Sequence, residues 1–321
     1  MTEIALPLAA TSISVVVPVY GCVECLEQLC ARLLATLTQI THRFEIILVD
    51  DRSPDQSWAA IVGLQARHPQ VRGVRLSRNF GQQIAISAGL SLARGDYTVV
   101  MDCDLQDPPE VILELWRVMQ AGNDIVMARR AKRTHSWLRV VGARIYFALL
   151  SRLNEERIDG SYGSFSMLSR KVVDAFLRFG ERERHYLLIL RWLGFKVGTI
   201  EYAHQDRGIG KSSYTFGALV RHAVDGVFFQ TTVFLRWIVG LGLLFALVGM
   251  LAAAYLVYRY FAYGVVGIAG WTSVVVVLLV STGVILLSLG VVGLYVGKIF
   301  DQSRDRPLFV VDHIVEAAAP W

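Results

Sequence analysis

The hydrophobic and polar positions divide this chain into two unlike parts. From about residue 12, short β-branched runs alternate with stretches of helical spacing. Residues 13–17, Ile-Ser-Val-Val-Val, read as a buried strand closed by Pro18. Leu26, Leu29, Leu33 and Leu37 then recur at helical intervals within 24–40. A second apolar run, Phe44–Val49, ends in Asp50-Asp51, and Ser53-Pro54-Asp55 opens a second helix reaching about Ala66. Residues 71–76 predict a third strand, 82–93 a third helix, and 97–101 a fourth strand that ends at Asp102. This βαβ rhythm predicts an α/β domain with a mostly parallel, Rossmann-like sheet and helices on both faces. Sites in such sheets lie outside the carboxyl ends of the strands. Asp50-Asp51 and Asp102-Cys103-Asp104 both stand at such ends.

The last third has another pattern. Residues 237–258 carry no charge and are bracketed by Arg236 and Arg259. As a helix they would span roughly 33 Å, enough for a bilayer core. Residues 260–297 are also free of charge. These runs predict transmembrane helices over 234–258 and 271–297, joined by a connector at 259–270. Arg221, Arg236, Lys298, Arg304 and Arg306 flank the pair, whereas the connector holds only Arg259. That asymmetry predicts cytoplasmic N- and C-termini and an integral protein of two spans. Amphipathic stretches at 137–150 and 215–233 predict helices lying in the membrane interface. The remaining boundaries are a flexible N-terminus at 1–11, a cytoplasmic domain at 12–214 and a tail at 298–321. Within that tail, Arg306–Val311 reads as a short strand.

Composition agrees with this division. Hydrophobic residues make up 54% of the 321 positions and charged residues 18%, too apolar a balance for an ordinary soluble chain. The net charge of +5 favours anionic partners such as phosphates and acidic lipid headgroups. The first ten residues lack the basic start of a signal peptide, so the bulk of the chain is expected in the cytoplasm. Cys22 and Cys25 form a C-x-x-C with no second ligand pair for zinc. All four cysteines are expected to be reduced.

The chemistry centres on Asp102 and Asp104. Two carboxylates one residue apart at a strand end can share a hard divalent cation, as a nucleotide diphosphate requires. A D-x-D alone is weak evidence, and its surroundings are what make it specific. Val-Val-Val-Pro-Val-Tyr at 15–20, Leu-Val-Asp-Asp-Arg-Ser-Pro-Asp at 48–55 and Asp-Cys-Asp-Leu-Gln-Asp-Pro-Pro at 102–109 together resemble family 2 glycosyltransferases of the GT-A fold. Arg-Gly-Ile-Gly-Lys-Ser-Ser-Tyr at 207–214 and the paired spans narrow the resemblance to the polyisoprenyl-phosphate glycosyltransferases. It covers about residues 12–311.

The resemblance implies a GT-A domain that moves one sugar, with inversion, from a nucleotide sugar to a polyisoprenyl (undecaprenyl) phosphate at the cytoplasmic face of a bacterial inner membrane. It implies that Pro18, Tyr20, Asp50, Asp51 and Asp102 hold the nucleotide. Asp102, Asp104 and Gln106 would gather Mg²⁺ or Mn²⁺. Arg129, Arg207, Lys211 and Ser212 would meet phosphates. Asp159 is a further candidate, near the place where many relatives carry an Asp and this chain has Ser164. The family's Asn-Glu after Pro-Val-Tyr is replaced by Gly21-Cys22, with Glu24 close by. UDP-glucose is the favoured donor, with a GDP-sugar as the other choice. Membrane lipid and a second copy of the chain are expected partners, and nucleic acid is not.

The acceptor phosphate ionises a second time near pH 6, so it is already largely an anionic nucleophile. A general base is therefore dispensable. Two other readings compete. A processive polysaccharide synthase would carry Q-x-x-R-W and more spans, but Leu188 stands where that Gln would precede Arg191-Trp192. An inert membrane scaffold would not need Asp102, Asp104, Arg207 and Lys211.

Overall fold

The fold was analysed in a computed structural model, which describes residues 11–130, 162–182, 184–203, 233–263 and 270–316. The chain divides into two units. One comprises residues 1–137, 159–212 and 306–321, and the other 138–158 and 213–305.

In the first unit the described residues form one sheet with strand order β7-β5-β6-β4-β1-β2-β3-β8. β1 (Ile13–Val19), β2 (Phe44–Asp50), β3 (Val71–Leu76) and β4 (Tyr97–Val100) run parallel, as the sequence predicts. β5 (Ile125–Arg130) pairs parallel with β7 (Val197–Tyr202). β6 (Tyr162–Ser169) runs antiparallel between β4 and β5, and β8 (Val311–Val315) runs antiparallel to β3. The sheet is therefore mixed, because β6 and β8 reverse the direction of the parallel group.

Both faces are covered. The helices are α1 (Val23–Leu37), α2 (Ser57–Arg67), α3 (Gln82–Leu92), α4 (Ile112–Gln120), α5 (Arg170–Leu177) and α6 (Tyr186–Trp192). Alternate residues of each strand point to opposite faces. Val15, Val17, Ile46 and Leu48 join a core built from α1, α2 and α4, with Leu29, Leu33, Leu64 and Trp116. Val16, Ile47, Val49 and Val74 join the opposite core, with Ile86 on α3, Phe176 on α5 and Tyr186 on α6. Every residue of β1 and β2 is buried, which explains why their sequences are mostly apolar.

Two sequence expectations are corrected here. The tail strand begins at Val311 rather than Arg306, because β3 ends at Leu76, the ladder partner of Val311. Before it, Ser77 N–H reaches only the Val310 carbonyl, at 2.9 Å. The cysteines are not all reduced: Cys22 and Cys103 form a disulfide with their Cα atoms 6.4 Å apart. β1 and β4 are neighbours, so residues just past their carboxyl ends meet across 81 positions of sequence. Cys25 and Cys30 are buried and take no part in that bond, and burial pushes the Cys30 thiol up to about 11.

In the second unit, α7 (Val233–Tyr263) and α8 (Trp271–Ser303) cover both runs that the sequence marks as apolar. Within α8, Val280–Ser303 is long and apolar enough to cross a membrane, and its most apolar window is wholly unburied. The corresponding apolar stretch of α7 among the described residues, Gly240–Leu251, is shorter. The amphipathic stretches at 137–150 and 215–230 lie outside the described residues.

α3 lies very close to the sheet at Gly89. A Cβ there would collide with Cγ1 of Val16 and stand 3.1 Å from Cγ2 of Val49. Gly89→Ala should therefore overpack this contact, costing about 1–3 kcal/mol and lowering the melting temperature measured by circular dichroism in detergent. An unchanged melting temperature would show that α3 can lift away freely. Alkylation in denaturant without reductant should modify Cys25 and Cys30 only, as read by mass. Modification of all four cysteines would rule out the Cys22–Cys103 bond.

Candidate functional site

Strand order dictates where polar groups collect. β2 and β4 flank β1, all three run parallel, and their carboxyl ends open on one edge of the sheet. The chain passes from β1 outward to β2 and β3, then returns to the other side of β1 with β4. A crevice forms at such a reversal of strand order. Pro18 lies in β1 beside Val49, and Tyr20 follows the strand with half its surface exposed.

Asp50 and Asp51 have different environments. Asp50 is fully buried, accepts the Ser53 N–H at 2.9 Å and pairs with Arg75 Nε at 3.2 Å. Burial raises its pKa, opposed by the Ser53 N–H and the Arg75 charge. Asp51 accepts two backbone N–H groups, from Phe80 at 2.7 Å and Gly81 at 2.8 Å. It thereby fixes the turn that leads into α3. Gly81 adopts φ +93°, a conformation that favours glycine. Burial raises the Asp51 pKa as well, against these two N–H bonds.

That turn sets the start of α3, which brings Gln82 to the other acidic cluster. Gln82 Nε2 donates to Asp102 Oδ1 at 2.7 Å. The Ser164 hydroxyl on β6 donates to the same oxygen at 2.8 Å. Among the described residues, Asp102 Oδ2 takes no hydrogen bond. Burial pushes the Asp102 carboxyl up to about 6, with the Asp107 charge acting in the same direction and the Ser164 bond opposing. Asp104 Oδ1 accepts the Gln106 N–H at 3.2 Å, and Leu105 between them takes φ +59°. The loop thus turns sharply immediately after Asp104.

Asp102 borders a cavity of about 220 Å³ lined also by Gln82, Arg130, Ser164, His185 and Tyr186. Burial depresses the His185 pKa, favouring a neutral imidazole. The cavity therefore pairs one carboxylate with one guanidinium and several neutral hydrogen-bonding groups. Among the described residues no three His, Cys, Asp or Glu side chains converge as metal ligands. Asp102 and Asp104 carry carboxylate oxygens and Gln106 an amide oxygen, all hard donors. Such a set suits Mg²⁺ or Mn²⁺ when a ligand supplies further oxygens.

Arg130, not Arg129, lines the cavity. Adjacent strand residues face opposite sides. Arg129 pairs with Glu201 at 3.5 Å, while Arg130 lies beside Tyr202 and Asp107. The hydrophobic pattern could not separate the two arginines, because residues 125–128 are buried on both faces. Gln82 and His185 carried no spacing signal at all. Asp107 stood inside the recognised motif, but only the fold joins it to Arg130. Asp159, Arg207, Lys211 and Ser212 lie outside the described residues.

Comparisons with known proteins show the family. Residues 14–177 match the sequence profile described as glycosyl transferase family 2. The chain is 34% identical to an uncharacterised glycosyltransferase of Synechocystis sp., over 94% of this chain and 95% of that protein. It is 33% identical to the undecaprenyl-phosphate 4-deoxy-4-formamido-L-arabinose transferase of Photorhabdus laumondii, over 94% of each. It is 32% identical to the bactoprenol glucosyl transferase of Shigella phage SfV, over 93% of this chain and 97% of that protein. The chain belongs to glycosyl transferase family 2 and is a glycosyltransferase.

Proposed function

We propose that this glycosyltransferase moves a single sugar, with inversion, from a nucleotide sugar to a polyisoprenyl phosphate at the cytoplasmic membrane face. One observation carries the reading. The strand-end carboxylate of Asp102 and the Arg130 guanidinium border the same cavity, so a group suited to a cation-bound diphosphate and one suited to a phosphate anion stand together. The named relatives supply the acceptor: two of them carry different sugars in their names but the same kind of lipid carrier. The carrier is therefore the shared element. The sugar varies, with UDP-glucose our preferred donor and a GDP-sugar the alternative.

In this reading Pro18, Tyr20, Asp50 and Asp51 form the nucleotide end of the crevice. Asp50 is buried against Arg75, which suits a role in holding the loop as well as in accepting from the base. Asp102, Asp104 and Gln106 hold Mg²⁺ or Mn²⁺, which when bound offsets charge on the leaving diphosphate. Arg130 takes the phosphate role that the resemblance implies for Arg129. Arg207, Lys211 and Ser212, in a loop punctuated by glycines, add positive charge and a hydroxyl for the phosphates. Asp159 remains a candidate for the acceptor side. The acceptor is already anionic near neutral pH, so the protein need only align it and offset repulsion between phosphate groups.

The lipid-linked acceptor suits the second unit. We place α7 and α8 across the membrane with both termini cytoplasmic, on the Arg and Lys asymmetry of their flanks. The stretches 137–150 and 215–233 would lie at the interface, where a polyprenyl phosphate presents its headgroup. The protein would work as a homo-oligomer in a bacterial inner membrane.

Incubating the full-length protein with undecaprenyl phosphate, Mn²⁺ and a panel of nucleotide sugars should give one lipid-linked product, identified by mass. No lipid-linked product with any donor would overturn the proposal. Asp104→Ala should lower the transfer rate by at least about 100-fold while leaving membrane insertion intact, as read by alkaline extraction. Parental activity in that variant would remove Asp104 from the site.

A further inference from the structure

Two buried ionisable groups behind the cavity have no part in the chemistry proposed above. Asp107, in the loop after β4, is fully buried, and Tyr202, the last residue of β7, is 5% exposed. Neither lines the cavity. Both are directed at Arg130. The Tyr202 hydroxyl accepts from Arg130 Nε at 3.4 Å and donates to Asp107 Oδ1. That same Asp107 oxygen lies 3.9 Å from Arg130 Nη2. The parallel register of β5 and β7, with Arg130 opposite Tyr202, creates this contact. Phe165, fully buried, packs edge-on against the Tyr202 ring at 5.6 Å and fixes its plane.

A third element closes the arrangement. A Cβ on Gly163 of β6 would stand 3.0 Å from Arg130 Nη2 and 3.3 Å from Cζ. The absent side chain lets the guanidinium lie against the backbone. A guanidinium has five N–H donors. These contacts engage its Nε and Nη2 side, leaving donors for an anion in the cavity. Burying a carboxylate is costly, and a buried ion pair is weak evidence for a purely stabilising role. A cost of that kind is consistent with fixing the direction of a charge.

We infer that Tyr202 and Asp107 are positioning residues, holding the Arg130 guanidinium at the cavity beside Asp102 to receive a phosphate or diphosphate anion. The inference rests on the proposed phosphate role of Arg130. The alternative is a structural staple that ties the β7 edge to the loop after β4. Coupling between Tyr202 and Arg130 separates the two, because a staple would act on anion binding independently of Arg130.

The test is calorimetric titration of the full-length protein in detergent with inorganic pyrophosphate in the presence of Mn²⁺. Arg130→Ala and Tyr202→Phe should each weaken binding by about tenfold, the scale of a hydrogen bond to a charged group. The double variant should bind no more weakly than Arg130→Ala alone. Gly163→Ala, which crowds the guanidinium from the other side, should also weaken binding in the parent but not in Arg130→Ala. This variant decides the matter if Tyr202→Phe does not fold. Parental affinity in Tyr202→Phe, or losses that multiply in the double variant, would overturn the inference. A parent that binds pyrophosphate but transfers no sugar to undecaprenyl phosphate would refute the functional reading alone.

Discussion

The backbone ladder that sets β1 between β2 and β4 is the constraint on which the rest of the site depends. Parallel pairing on both sides brings three carboxyl ends to one edge. Asp50 and Asp51 then stand on one side of β1, and Asp102 and Asp104 on the other. Neighbouring strands are about 4.8 Å apart, so the two acidic clusters are separated by about two such spacings. The ladder holds only because both faces of β1 are dry. Val15 and Val17 are buried on one side and Val16 on the other, each against helices. The approach of α3 to Val16 at Gly89 is part of the same packing, and it carries Gln82 to Asp102.

Electrostatics decides what this edge can do. Asp102, Asp104 and Asp107 lie within six residues, and the repulsion among them raises the Asp102 pKa in addition to burial. Arg130 opposes that rise. An arrangement of carboxylates around a single guanidinium is poorly compensated by itself. A divalent cation would offset part of this negative charge, whereas a phosphate would add to it unless it arrived with such a cation.

The parallel half of the sheet was legible in the sequence because β1, β2 and β4 are largely apolar runs, two of which lead into aspartates. The D-x-D was legible for the same reason: Asp102 follows such a run directly. β6 and β7 were not, since Tyr162–Ser169 and Val197–Tyr202 mix glycine and polar residues with apolar ones and lack the apolar runs of the parallel strands. Without β7 the pairing of Tyr202 with Arg130 cannot be foreseen from the sequence. The Cys22–Cys103 bond was hidden behind the nearer C-x-x-C, because strand order, not sequence distance, brings the two together. Ser164 shows the limit of motif reasoning. It was read as a missing acid, yet its hydroxyl holds Asp102 in place.

Under the proposed function the two units would divide the work between donor and lipid. The sheet supplies a polar edge for a water-soluble donor, while Val280–Ser303 supplies a stretch suited to lipid. The central claim is that the polar edge binds a diphosphate through a cation at Asp102 and Asp104. Crystals of the full-length protein grown with UDP and Mn²⁺ test it most directly, through the anomalous scattering of the metal. The account predicts one Mn²⁺ peak within coordination distance of Asp102, Asp104 and both phosphates of UDP. A metal peak elsewhere, or UDP bound with its diphosphate away from these carboxylates, would contradict it.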